Sequence, residues 1–252
     1  MTFDLQWVRS SLPDRRIDWY PSIQSTMFEA SRLAAAGCPS GAIVGAEQQT
    51  AGQGRYGRVW HSEPESGLYV SIVLRHRFNP RTLPLVTLAL GLATSEAIRQ
   101  VTGLTCDLRW PNDVLIQSRK CAGILSQLEG SAIIAGIGIN VNHSAFPEDL
   151  DAIATSLRLE SQSVHSRERL LLALAATVDR FCTLLQDAGG EPILAMFSQA
   201  SSFVYGRRVS VDQGHVSLEG TTAGLDRSGF LILQADDGTR NVILAGGVRP
   251  CS

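Results

Sequence analysis

The 252-residue chain carries 22 basic and 24 acidic residues, for a net charge of -2, and 44% of it is apolar. That suffices for one large domain with a small appendage and no staples, and it leaves no global basic field to hold nucleic acid or an anionic membrane surface. Five scattered cysteines without a C-x-x-C pair argue for a reducing compartment and against a disulfide framework or a zinc site.

The N-terminal segment "MTFDLQWVRSSLPDRR" is polar and lacks a signal core, and "RIDWY" (Arg16–Tyr20) reads as the first strand. "STMFEASRLAAAG" follows as a helix, with Thr26 and Glu29 as a capping box and Gly37 as the stop. "GAIVGAEQ" and the alternating "GLYVSIVLR" are strands, and Leu83–Val101 is an apolar helix for burial on a sheet. Its longest apolar run is broken by Pro84, Thr87, Thr94 and Glu96, so no membrane span is expected and the chain reads as cytoplasmic. Next come "LRW", "DVLIQ", "CAGILSQLEG" and "SAIIAGIGINVN" as strands, then a helix from Ser166 to Gln186 and a shorter one from Pro192. The short "SRK" turn makes the middle pair a hairpin that sets Lys120 at a sheet end. From Gly206 onward, "RRVSV", "HVSLEGTTAGL", "GFLILQ" and "RNVILAG" alternate with the turns "DQG", "DRSG" and "DDG", as in a small β-barrel. Two domains are therefore expected, 1–203 and 204–252.

The segment Thr50–Trp60, "TAGQGRYGRVW", spells G-x-G-x-x-G, yet no helix can follow it because Pro64 and Gly67 intervene, and Val70–Arg75 offers no acidic residue. Both are required of a dinucleotide fingerprint. A kinase reading fails for want of a lysine on the next strand and of the later motifs, and no Walker sequence occurs. What remains is a loop whose glycine N–H groups can approach an anion, with Arg55 and Arg58 as forked donors and Trp60 as an anchor.

Of the 22 basic residues, 21 are arginine and one, Lys120, is lysine. Arginine substitutes for lysine on solvated surfaces but not where a compact ammonium must sit beside a reacting group. Lys120 lies seven residues after Asp113 in "RWPNDVLIQSRK", close to Trp110 and Asn112. An aromatic can stack a base, an amide can fix phosphate or ribose, and a carboxylate can hold Mg²⁺ or take a proton.

"STMFEA", "EQQTAGQGRYGRVW", "GLYVSIVL", "RWPNDVLI", "KCAGILSQ", "GIGINVN" and "ATSL" occur in an order and spacing that resemble the biotin protein ligases, from about Ile17 to Gly247. The resemblance implies an α+β fold, a mixed-sheet ligase domain with helices packed on it plus a C-terminal SH3-like β-barrel. It implies two steps: biotin attacks the α-phosphorus of ATP to give biotinyl-5′-AMP and pyrophosphate, and a lysine of a biotin carboxyl carrier protein domain then takes the biotinyl group. Carried over by position, Ser25, Thr26, Met27 and Gln49 lie at the biotin ring, and Gly52, Gln53, Gly54 and Arg55 close over biotin and the adenylate. Lys120, with Gly123 beside it, meets the biotin carboxylate and the α-phosphate. Arg58, Trp60, Trp110, Asn112, Asp113 and Asn140 serve the nucleotide side. Asp113 is a candidate either to accept the acceptor lysine's proton or to hold Mg²⁺. Pairing of two chains through a sheet edge is a further implication.

Three departures from the family stand out: Gln53 where arginine is common, Met27 where asparagine is common, and "AGGV" where a Gly-Glu pair is usual at Gly246 and Gly247. The segment before the first strand is too short for the helix-turn-helix of some relatives, so direct DNA binding is not expected. A lipoate or octanoate ligase of the same superfamily is the nearest alternative, but the R-R-x-S-G-G-G loop of those enzymes is absent. A nucleic-acid module is less fitting, because the barrel strands lack interleaved aromatic and basic residues.

Overall fold

The computed structural model describes residues 3–75, 82–213 and 217–251. Helix α1 (Leu5–Ser11), unanticipated in the polar N-terminal segment, is capped by Asp4, whose carboxylate accepts from the Trp7 N–H. Strand β1 (Ile17–Tyr20) pairs in parallel with β2 (Ile43–Ala46) across α2 (Thr26–Ala35). The remaining pairings are antiparallel: β3 (Gly67–Leu74), β4 (Asp107–Arg109), β5 (Asp113–Ile116), β6 (Arg119–Glu129) and β7 (Ala132–Asn140) complete a seven-stranded mixed sheet of order β1-β2-β3-β7-β6-β5-β4. Strand β3 does not alternate between core and solvent as expected. All eight of its residues are buried, because helices cover both faces of the sheet.

On one face α3 (Leu83–Thr102) packs against β6 and, behind it, α6 (Arg167–Ala188), with α7 (Gly190–Gln199) closing that layer. Leu88, Leu90 and Ile98 of α3 meet Ile72, Ile124 and Ile139 in one continuous core. On the other face α2 lays Met27, Ala30, Leu33 and Ala34 over Val44, Val73 and Ile134. The expected capping box of α2 does not form. Ser25 is the N-cap, the Thr26 hydroxyl bonds Gln49, and the Glu29 carboxylate is taken by Arg32 and Tyr20. Two short helices that the sequence reading passed over, α4 (Glu148–Asp151) and α5 (Leu157–Ser161), fill the connection from β7 to α6.

The C-terminal residues form a five-stranded antiparallel sheet, with β8 (Tyr205–Asp212), β9 (Ser217–Leu225), β10 (Leu231–Gln234), β11 (Arg240–Ile243) and β12 (Gly247–Pro250) in the order β11-β10-β9-β8-β12. Strand β12 was not expected. The tip of the "DQG" turn and the first two residues of "HVSL" lie outside the described residues. Val209, Val211, Leu231 and Leu233 join the main core, which seats this sheet against the first. Among the described residues no helix is long and apolar enough to cross a membrane.

Candidate functional site

The hairpin β5–β6 turns on Gln117 and Ser118, both with positive φ (49° and 68°), and returns Lys120 opposite Leu115. Two positive-φ central residues match the twist of the flanking strands, which makes this turn a short, well-registered connection. The segment after α4 docks alongside: the Lys120 N–H donates to the Ile153 carbonyl at 2.8 Å, and the Thr155 N–H donates to the Lys120 carbonyl at 2.9 Å. Asn140 is buried, and its amide donates to the carbonyls of Thr155 (3.0 Å) and Lys120 (3.4 Å). The structure thus gives Asn140 the task of fixing the backbone that carries the lysine.

The Lys120 ammonium is paired with one carboxylate oxygen of Asp113, and Arg109 donates to the other at 2.8 Å. Burial works to raise the Asp113 carboxyl, but Lys120 and Arg109 outweigh it, so its pKa lies below the usual carboxylate value. Two cations around one carboxylate leave a net positive charge in this corner. Arg109, not among the residues expected at the site, belongs to it as the direct cross-strand partner of Asp113 in the β4–β5 pair.

Opposite Lys120 stands the Gly52–Trp60 loop. It is folded back on itself: the Trp60 N–H donates to the Gly52 carbonyl at 2.9 Å, the Gly54 N–H to the Arg58 carbonyl at 2.7 Å, and Gln53 bridges Val59. A Cβ at Gly52 would stand 2.8 Å from the Trp60 carbonyl, so only glycine allows this closure. The Trp60 ring lies against the sheet, where a Cβ on Gly138 would approach it to 2.5 Å and one on Gly123 to 2.8 Å. Gly123 and Gly138 are direct cross-strand partners and so make one flat platform. Lys120 Nζ stands 5.2 Å from the Trp60 ring centroid, within cation–π range.

Arg55 leaves the loop to donate to the Asn112 side-chain oxygen (3.2 Å) and to the Gly246 carbonyl of the second sheet (3.3 Å). Burial lowers its pKa, partly offset by Tyr56 and Asp113. Arg58 is exposed and turns to Asp212 of β8 at 4.0 Å, away from the cleft. Trp110 is buried as well, its indole donating to the Gly229 carbonyl at 2.9 Å. It ties the two sheets together beside a neighbouring cavity.

Beside the loop and the platform runs a narrow cleft, open at its mouth. Thr26, Met27 and Gln49 form one end; Asn112, Lys120 and Gly123 form the other; Gln53, Gly54, Arg55 and Trp60 cover it. Gln49 is fixed by accepting from the Thr26 N–H (2.9 Å) and hydroxyl (3.1 Å) while donating to Ser62 (3.2 Å), and Ser71 donates to Thr26 at 2.8 Å. Ser25 Oγ and Trp60 Nε1 are buried without a partner in the protein, as groups reserved for a ligand are. A Cβ on Gly136 would lie 2.4 Å from the Met27 sulfur, so that glycine sets the depth of the cleft. Gly136 and Gly138 were overlooked in the sequence, although their two-residue spacing in "AGIGIN" was the available signal.

A cleft with a polar, fixed end, an apolar middle and a cationic corner, covered by a glycine-arginine loop, is built for an elongated acid that is activated at its carboxylate. The chain belongs to the biotin/lipoate A/B protein ligase family, whose model matches residues 19–144. Residues 204–248 match the biotin protein ligase C terminal domain. The chain is 31% identical to the biotin–acetyl-CoA-carboxylase ligase of Mycobacterium tuberculosis, over 92% of this chain and 88% of that one. It is 33% identical to the ligase of the same name from Paracoccus denitrificans, over 89% and 96%. Among solved structures, the biotin protein ligase of Aquifex aeolicus in complex with biotin and ATP superposes with a TM-score of 0.83 at 28% identity, covering 94% of this chain and 99% of that one.

Proposed function

We propose that the chain is an ATP-dependent biotin protein ligase. It forms biotinyl-5′-AMP with release of pyrophosphate, then passes the biotinyl group to a lysine of a biotin carboxyl carrier protein domain. The observation that carries this reading is the single lysine of the chain, held by Asp113 at the cationic end of a cleft whose other end presents the fixed Gln49–Thr26 pair. The two named relatives and the Aquifex complex support biotin over lipoate.

In this reading the biotin ring occupies the Ser25–Thr26–Gln49 end. Ser25 Oγ and Thr26 meet the ureido group, and the valeryl chain runs along the Trp60 indole, which itself rests on the glycine platform. The first step brings a carboxylate to a phosphate, so preorganised positive charge lowers its barrier. Lys120 bridges the two anions, and Arg55 closes over the adenylate with Gly52, Gln53 and Gly54. Asn112 and the Asn140-braced backbone shape the nucleotide end, while Trp110 and Arg58 act from outside the cleft by holding the second sheet in place.

Asp113 suits the orientation of Lys120 better than proton transfer, because both its oxygens are engaged and its pKa is lowered. With one oxygen on Lys120 and the other on Arg109 it does not fit as a ligand for Mg²⁺, and no step runs through that ion. We further propose that the enzyme works in the cytoplasm on a carrier protein and that two chains can pair through a sheet edge. Incubation with ATP and biotin, with detection of biotinyl-5′-AMP and pyrophosphate, tests the first step. Adenylation of lipoate in preference to biotin would overturn the assignment.

A further inference from the structure

Two histidines and a carboxylate that the ligase chemistry leaves unused stand together where the covering loop rejoins the sheet. His61 and Glu63 lie one and three residues past Trp60, and His143 lies three residues past Asn140. One ring nitrogen of each histidine and one Glu63 oxygen all lie within 4.8 Å of one another. His143 is fully buried, yet its Nδ1 has no hydrogen-bond partner. Its Nε2 is 3.1 Å from the Tyr69 hydroxyl and 3.9 Å from Glu63 Oε2, and Phe146 stacks on the ring at 5.2 Å. The hydroxyl of Tyr69 also donates to the Glu63 carbonyl at 3.0 Å, so one phenol braces both the ring and the segment that carries the carboxylate. Burial, with His61 adding to it, lowers the His143 pKa to about 4, which leaves the ring neutral.

We infer that His61, Glu63 and His143 bind a divalent cation of the zinc class, with water in the fourth position. Two imidazoles and one carboxylate, without thiolate, select a borderline cation over Mg²⁺ or Ca²⁺, which prefer all-oxygen shells. Tetrahedral ligands at ordinary zinc bond lengths stand about 3.4 Å apart, so atoms up to 4.8 Å apart must close by at most about 1.4 Å. Glu63 has the freedom for this, with 44% of its side chain exposed, and it gives the ion a route from solvent. Because the Tyr69 O–H is given to the Glu63 carbonyl, the Tyr69 oxygen accepts from His143 Nε2–H, which leaves Nδ1 as the ligating atom and makes Tyr69 the outer-shell partner that ligating histidines ordinarily have. Arg167, which donates to the Gly67 carbonyl of the strand that carries Tyr69, is already paired with Glu47 at 2.6 Å and does not oppose a cation. The ion would staple the Trp60–Glu63 arm to the end of β7. That arm carries Trp60 itself and Ser62, which accepts from Gln49, so the cation would stiffen the covered wall of the cleft.

The test uses the full chain stripped with EDTA and titrated with Zn²⁺ against a chromophoric chelator, with Co²⁺ absorption as the spectroscopic readout. One equivalent per chain with a four-coordinate Co²⁺ spectrum is expected. Glu63→Gln and His61→Gln should each weaken binding at least tenfold, while the exposed Asp236→Asn should bind as the unaltered chain does. Circular dichroism of the metal-free variants should match that of the unaltered chain. Absence of stoichiometric Zn²⁺ uptake, or unchanged affinity in Glu63→Gln and His61→Gln, overturns the site.

Discussion

Substitution of Gly138 by alanine tests how tightly the cleft is gauged. The added Cβ would lie 2.5 Å from Cε2 and 2.7 Å from Nε1 of Trp60. Restoring ordinary carbon contact requires the indole to lift by about 1 Å, and the volume it would enter is the cleft. Overpacking of this kind costs about 1–3 kcal/mol. Converted at 1.4 kcal/mol per factor of ten, biotin affinity should fall roughly 5- to 150-fold. The matched control is Gly136→Ala, where the first atom met, at 2.4 Å, is the Met27 sulfur. An unbranched thioether turns aside at little cost, so this variant should lose less than about tenfold, on the order of 1 kcal/mol. Calorimetric titration of each variant with biotin, with thermal unfolding to confirm the fold, gives the comparison. Equal affinities in both variants and the unaltered chain, or a greater loss in Gly136→Ala, would refute the gauge.

Lys120→Ala should nearly abolish adenylate formation, by about a thousandfold, while biotin still binds; pyrophosphate release and calorimetry separate the two, and normal adenylation would remove the lysine from the mechanism. Arg55→Gly breaks the contacts with Asn112 and Gly246. It should still make biotinyl-5′-AMP but release it, so chromatography of the reaction should find free adenylate that the unaltered chain retains. Asp113 has a folded pKa below its unfolded value, so its stabilisation is complete above the unfolded value of about 4 and is lost as pH falls through the folded value. The melting temperature of the unaltered chain should therefore fall more steeply below about pH 4 than that of Asp113→Asn, and parallel curves would argue against the Lys120–Asp113–Arg109 cluster.

Much of this site could be read from the chain because its signals are local. The Lys120 hairpin follows from tight-turn spacing, and the Gly52–Trp60 loop follows from glycines that open no α-helix, only the single 3-10 turn Arg55–Gly57. What escaped is tertiary. Thr26 and Glu29 have the spacing of a capping box, but Gln49 and Arg32 compete for them from outside the helix end. Trp110 resembles a stacking platform in a motif, yet a carbonyl 119 residues away takes its indole. Gly136 and Gly138 look like ordinary strand glycines until the thioether and indole that fill their missing side chains are placed. The histidine cluster joins the segment before β3 to the segment after β7, neighbours in the sheet but not in the chain, and the cysteine pattern gave no hint of it.

The most direct measurement is the intact mass of a biotin carboxyl carrier domain after incubation with this chain, ATP and an equal mixture of biotin and lipoate. The ligase reading predicts a single biotinyl addition on one lysine, dependent on ATP and absent with Lys120→Ala. An unmodified carrier, or a lipoyl addition in preference to biotinyl, would contradict it.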